Sequence, residues 1–441
     1  MSELHPSWLA ERPVQRLVAA LAKDGVDVRF VGGCVRDALL GIVTGDIDLA
    51  TPARPETVMG ALAAARIRAI PTGLEHGTVT AVITSPGPPR HFEITTLRRD
   101  VETFGRRARV AFDAGWDEDA ARRDFTINAI YLAPDGTLYD PVGGRADLAA
   151  RRVRFVGDPA TRIAEDVLRI LRYYRFEARF GDRGGDQAAR VACQGAVGKL
   201  SALSAERIWR ELSGLLSLPN PIRALNMMRD DGVLGAILPE ATRIDRLGRL
   251  AALSTPSPTL PRLRRRRSAD ANPPNAPSPP LAGEGRGGGK PADPLLRLAA
   301  MIEVDRAAAI KLAERLRLSV AERKRLIALA APWPLDPSDT AQAQRLALYR
   351  LGPERYRDLA LLLAAAGRLT LGRLRKLVEF AETWPLPAFP VSGGDVTALG
   401  IAPGPRVGRL LAAVKRWWED GDFAADREEC LARLRELAGR P

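Results

Sequence analysis

The sequence predicts an α+β chain, with a small mixed sheet and its helices over residues 1–145 and an all-helical remainder. Two observations point there. Four β-prone runs, RFV, DIDLAT, TVTAVI and HFEITT, fall between Arg29 and Thr96, and a strand's period of two sorts their apolar and polar side chains onto opposite faces. From Gly185 onward the strands give out and helical periodicity takes over. With 441 residues, 46% hydrophobic and 27% charged, the chain is long enough for several domains with their own cores. A net charge of +13 favours a polyanionic partner, although an Arg-rich composition alone produces the same balance. Cys34, Cys193 and Cys430 lie far apart and form no C-x-x-C pair, which argues against a zinc ribbon or disulfide framework and suits a reducing compartment. No run reads as a signal peptide or membrane span, so the expected location is the cytoplasm.

Pro6 to Lys23 reads as one amphipathic helix ending at Gly25. Arg29 to Val31 is a short strand, and Gly32-Gly33 is a turn where a backbone without Cβ lets a phosphate approach the amides of the next helix, which carries Arg36 and Asp37. In the following strand, Asp46 and Asp48 leave one face while Ile47 and Leu49 enter the core. Two acids on one face repel, and Mg²⁺ accepts one or two carboxylates together with nucleotide phosphates. A D-x-D alone also describes a solvated strand edge; the upstream Gly-Gly and Arg36 favour the site. Arg54 to Ala69 reads as helix, Thr72 to Gly77 as a turn, and Thr78 to Ile83 and His91 to Thr96 as strands. Glu93 then faces the same side as the two aspartates, as a third carboxylate or as a solvent-facing side chain. Leu97 to Asp119 is charged and irregular and reads as a mobile loop, with Glu102, Arg106, Arg107 and Arg109 as residues to test. Arg122 to Ile130 is expected to open a helix that puts Arg123, Asp124 and Asn128 on one face.

Asp158-Pro159 is an N-cap followed by Pro at the first helical position, which predicts one helix running to Phe180 with Gly181 as its stop. At helical spacing Asp166, Arg169 and Arg172 line one face of it. A carboxylate accepts from the exocyclic amino groups of cytosine and adenine, and an arginine donates to the ring atom beside them. An i, i+3 surface ion pair is the plainer reading of those residues taken alone. Residues 254–294 are Pro, Gly and Arg-rich and read as a disordered insert; the G-x-G-x-x-G within it follows no strand, which rules out a dinucleotide site. Helices are expected again from Leu295 to Leu437, broken by a turn from Val391 to Pro403.

The ordered motifs GGCVRD…DIDLAT, RRDFTINAI, DPVGGRADL, EDVLRILR and ERIWREL resemble the class II tRNA nucleotidyltransferase and poly(A) polymerase family of the polymerase-β nucleotidyltransferase superfamily. The resemblance covers about Phe30 to Leu212 and implies a nucleotidyltransferase head at 1–145, a helical neck at 146–220, a body at 221–253 and 295–335, and a tail at 336–441 that holds tRNA. It implies a two-ion Mg²⁺ site at Asp46 and Asp48 with Glu93 nearby, phosphate contacts at Gly32, Gly33, Arg36 and Arg123, ribose contacts at Asp124 and Asn128, and base selection by Asp166, Arg169 and Arg172. The expected reaction adds C, C and A from CTP and ATP to a tRNA 3′ end without a template. A poly(A) polymerase, a partial CC- or A-adding enzyme and a non-catalytic RNA-binding protein are the rivals. Poly(A) polymerases carry a basic Arg/Phe segment where this chain has Thr72 to Thr78, which favours CCA addition.

Overall fold

The computed structural model describes residues 3–84, 88–104, 107–112, 114–182, 184–254, 292–330, 333, 335–336 and 340–439. The predicted insert at 254–294 lies almost wholly outside the described residues. The chain forms two compact units, one built on Met1–Ala241 and the other mainly on Leu295–Glu314 and Leu318–Pro441.

In the first unit a 3-10 turn (Ser7–Ala10) precedes α1 (Arg12–Lys23), β1 (Arg29–Val31), α2 (Gly33–Leu39), β2 (Ile47–Thr51), α3 (Pro55–Ala64), β3 (Arg68–Gly73), β4 (Thr78–Ile83) and β5 (Arg90–Thr96). A hairpin of β6 (Arg99–Phe104) and β7 (Arg107–Ala111) follows, then α4 (Trp116–Ala121), β8 (Tyr131–Leu132), β9 (Leu138–Tyr139) and α5 (Gly144–Ala149). The rest is helical: α6 (Pro159–Glu165), α7 (Leu168–Phe180), α8 (Gln187–Gly195), α9 (Ala205–Leu216), α10 (Ile222–Asp230) and α11 (Val233–Ile237). Seven strands form one sheet in the order β3-β4-β5-β2-β1-β8-β9, antiparallel except where β2 and β5 run parallel.

The alternation read from the sequence holds at the centre of this sheet. Ile47, Leu49, Phe92 and Ile94 share a core with Leu17 and Leu21 of α1 and Val58 and Leu62 of α3, all with 2% exposure or less. Burying each such side chain contributes about 2 kcal/mol, which fixes the register and sends the intervening polar residues to the opposite face. Parallel pairing sets Asp48 directly beside Glu93.

Several expectations are corrected. Glu11 takes an extended backbone, so the first predicted helix is a 3-10 turn and a separate α1, with Pro13 at the start of the latter. The helix predicted to Ala69 ends at Ala64, and Arg68–Gly73 pairs as a sheet-edge strand whose register shifts between Ile70 and Gly73, around Pro71, which has no N–H to donate. The predicted loop from Leu97 to Asp119 contains the β6–β7 hairpin and the start of α4. Arg122 to Ile130 does not open an α-helix: Phe125 is extended and only Thr126–Asn128 make a 3-10 turn. The long helix predicted from Pro159 to Phe180 is two helices, broken at Asp166, whose φ of −149° and ψ of 107° are those of a strand.

The second unit holds α12 (Ile244–Ser254), α13 (Pro294–Met301, whose first residue belongs to the first unit), α14 (Arg306–Arg315, whose last residue belongs to the first unit), α15 (Val320–Ala328), α16 (Ala341–Leu351), α17 (Pro353–Ala365), α18 (Leu371–Thr383), α19 (Gly393–Thr397), α20 (Pro405–Asp420) and α21 (Arg427–Ala438). Leu359, Leu362 and Leu363 are fully buried there. The turn predicted at Val391 to Pro403 includes the short α19, where Ser392 and Asp395 form a capping box and Asp395 also pairs with Arg427.

Candidate active site

At the polar face of the sheet, Asp48 stands half-buried on β2, Glu93 beside it on β5, and Asp46 exposed just ahead of β2. Burial first, then the charges of Glu93 and Asp46, push the Asp48 carboxyl up to about 7, against the opposing pull of Arg123. Burial and Asp46 push Glu93 upward as well. Such mutual repulsion is what an arriving cation relieves. Among the described residues no three His, Cys, Asp or Glu side chains gather into a metal-holding group. Two carboxylates suit Mg²⁺, which takes its remaining ligands from phosphates and water.

Arg123 reaches this edge from the segment after α4. Its guanidinium is held by Asp119 at 3.0 Å and by the Tyr131 hydroxyl at 3.2 Å. A Cβ on Gly32 would lie 3.8 Å from its Nη1. Gly32 itself has a φ of +75°, a conformation that side chains resist, so glycine here keeps the turn into α2. Asp119 was not singled out in the sequence. It is 1% exposed and binds Arg122, Arg123 and Tyr131; burial raises its pKa but these partners outweigh it and bring it to about 2. Its spacing of three and four residues from Arg122 and Arg123 is the signal that would have found it.

Arg36 is placed differently from its predicted phosphate role. It is 1% exposed, donates to Asp37 at 2.9 and 2.7 Å and to Asn128 at 2.6 Å, and lies 4.2 Å over the Phe180 ring. Its donors are therefore turned inward, and Asn128, which also bonds Asp124 at 3.1 Å, is tied down with it. Asp124 and Arg123, expected on one helical face, both line one cleft but take different partners. Asp124 accepts two bonds from Arg172, at 2.8 and 2.6 Å, and one from its neighbour Phe125's amide. Burial would raise its pKa; Arg172 and the hydrogen bonds bring it to about 2.

A cleft of about 630 Å³ opens here, lined by Arg122, Arg123, Asp124, Asp166, Arg169 and Arg172 on one side and Arg207, Arg210 and Glu211 of α9 on the other. The helix break brings Asp166 into it. Asp166 Oδ1 accepts from the Leu168 amide at 3.1 Å, opening α7, and Oδ2 pairs with Arg207 at 2.7 Å. Arg169 donates to the Arg162 carbonyl at 2.8 Å and pairs with Glu165. The three predicted base-selecting residues thus line one cleft, but through a break in the helix rather than along one helical face. Arg172 is bound to Asp124 and lies near Glu211, which anchors Arg175 at 2.6 Å. In the DPVGGRADL turn Asp140 accepts from the Gly144 amide at 2.7 Å, and Asp147 gathers Thr126, Arg152 and Arg154.

Residues 28–154 match the family described as the poly A polymerase head domain, and residues 186–244 match the probable RNA and SrmB-binding site of polymerase A. The mitochondrial CCA tRNA nucleotidyltransferase 1 of Mus musculus is 32% identical over 439 residues, covering 96% of this chain and 90% of that protein. The CCA-adding enzyme of Geobacillus stearothermophilus is 39% identical over 225 residues, 51% of this chain and 53% of its own. The solved structure of the Bacillus stearothermophilus CCA-adding enzyme in complex with CTP matches with a TM-score of 0.70 and 28% identity, covering 97% of this chain and 98% of that one. No helix among the described residues is long and apolar enough to cross a membrane. With a relative at this identity over nearly its whole length, the chain belongs to the tRNA nucleotidyltransferase and poly(A) polymerase family.

Proposed function

We propose that the chain completes the 3′ end of tRNA, adding C, C and A from CTP and ATP without a nucleic-acid template. The observation that carries the reading is the segment Arg122–Asp124, in which Arg123 stands within the field of the carboxylate edge and also lines, with Asp124, the cleft that holds Asp166 and Arg169. A triphosphate at the first and a base at the second belong to one nucleotide. Asp46 and Asp48 are the residues we assign to Mg²⁺, which supplies charge neutralisation and a more acidic 3′-hydroxyl when bound. Arg123 grips the triphosphate, helped by the amides after Gly32. The tRNA 3′-oxygen forms its bond to the α-phosphorus as the bond to the β-phosphate's bridging oxygen breaks, and pyrophosphate leaves. Asp166 accepts from the amino group of C or A while Arg169 donates beside it; U and G present a carbonyl where Asp166 needs a donor. Asp124, Asn128 and Arg172 hold this cleft in shape, and the second unit is the part we assign to the tRNA body. The cytoplasm is the location we assign.

Incubating the protein with tRNA lacking its 3′ CCA, Mg²⁺ and each nucleotide, then sizing the product, tests the reading. Three added residues ending in A are expected. A long A tail would make the chain a poly(A) polymerase, a stop after two C or a single A a partial enzyme, and no addition a binding protein.

A further inference from the structure

Asp166 is held from two directions. The Leu168 amide takes one carboxylate oxygen at 3.1 Å and Arg207 the other at 2.7 Å, from a helix 41 residues downstream. As a stabilising contact this partly exposed ion pair is worth little, about 0–1 kcal/mol. As an orienting contact it does something a lone carboxylate cannot do. An aspartate side chain rotates about two bonds, and its outer oxygens offer acceptors in any direction it swings. Anchored at both oxygens, the Asp166 carboxylate has one plane, and its remaining lone pairs keep one direction within the cleft that it shares with Arg207. Discrimination between an amino group and a carbonyl depends on that direction, because a carboxylate free to turn away lets the carbonyl of U or G sit without repulsion.

We propose that Arg207 is a specificity-determining positioning residue that acts through Asp166. It fixes the carboxylate against which each incoming base is tested, while it contributes no contact to the reacting phosphate. Two neighbours could compete for this part. Glu211 of the same helix is anchored to Arg175, and Arg169, the nearest arginine along the chain from Asp166, pairs with Glu165 rather than with Asp166. Arg207 is the arginine whose guanidinium reaches Asp166 Oδ2.

The inference rests on the base-reading role of Asp166, and the test separates the two. Arg207→Met, Arg207→Lys and Asp166→Ala are assayed beside the unaltered protein with each of the four nucleoside triphosphates alone, on tRNA lacking its 3′ CCA for C and U and on tRNA ending in CC for A and G. For Arg207→Met the ratio of UMP and GMP to CMP and AMP incorporation is expected to rise about tenfold, the size of one misdirected charge-assisted bond. Arg207→Lys, which keeps a charge but not the planar fork, should fall between. An equal loss on all four nucleotides in both Arg207 variants, as a merely structural role would give, overturns the proposal. So does an unaltered ratio in Arg207→Met beside a changed ratio in Asp166→Ala. An unaltered ratio in Asp166→Ala overturns the base-reading role itself, and the proposal with it.

Discussion

The carboxylate edge and the cleft beside it handle charge in opposite ways. At the sheet edge, burial and the charges of Glu93 and Asp46 raise the proton affinity of Asp48, burial and Asp46 raise that of Glu93, and Arg123 only partly offsets the effect on Asp48. In the cleft Asp124 is matched to Arg172 and Asp166 to Arg207, and Arg169 is paired with Glu165 beside it. A surface that keeps like charges together is set up for a cation it does not itself contain. A surface with its charges already matched is preorganised for shape and direction, and reorganises little when a base arrives. One region is built to react and the other to choose.

If that division holds, the largest effect comes from the reacting edge. Asp48→Ala should lower transfer of every nucleotide by about ten-thousandfold, about 5 kcal/mol of barrier, with the C and A preference of the residual activity unchanged; single-turnover assays measure both. A shift in preference would break the division. The buried Arg36 comes next. Arg36→Met leaves the fully buried Asp37 with the longer Arg179 contact, at 3.3 Å, and should destabilise folding by about 3–4 kcal/mol, read from denaturant unfolding. A loss of activity at full stability would instead restore a phosphate-binding role.

Asp124 provides a smaller and pH-dependent effect. Its folded pKa of about 2 lies below the ordinary 3.8, so the native state favours the ionised form. The resulting stability, about 2 kcal/mol, is present above pH 4 and lost as pH falls from about 4 to about 2. Asp124→Asn should remove that part of the acid-unfolding curve and leave the neutral-pH slope unchanged; an unaltered acid limb would show that Arg172 does not hold Asp124 in solution.

What the sequence shows and hides follows the physics of each region. The strand pattern at Ile47 to Leu49 and Phe92 to Ile94 is set by local alternation against a core, so the acid edge is legible residue by residue. The break at Asp166 is not, because Glu165, Val167 and Leu168 are all compatible with helix; it is Asp166's own side chain, capping Leu168 and pairing with Arg207, that opens the backbone. Arg36 misled for a related reason. An arginine beside a Gly-Gly turn suits a phosphate, and only the partners at Asn128 and Phe180, 92 and more residues away, turn it inward. The β6–β7 hairpin was hidden by its charge, since a two-stranded ribbon does not need an apolar face to pair its backbone. Asp119 sat in plain view, at helical spacing from two arginines, within a stretch read as a loop.

The central claim is that selection resides in the cleft and not at the edge. The most direct measurement is incorporation of each of the four nucleotides by Asp166→Ala, relative to the unaltered protein, on tRNA lacking its 3′ CCA and on tRNA ending in CC. The account predicts that UMP and GMP become accepted while CMP and AMP addition survives at a reduced rate. Incorporation restricted to C and A at the original ratios would contradict it.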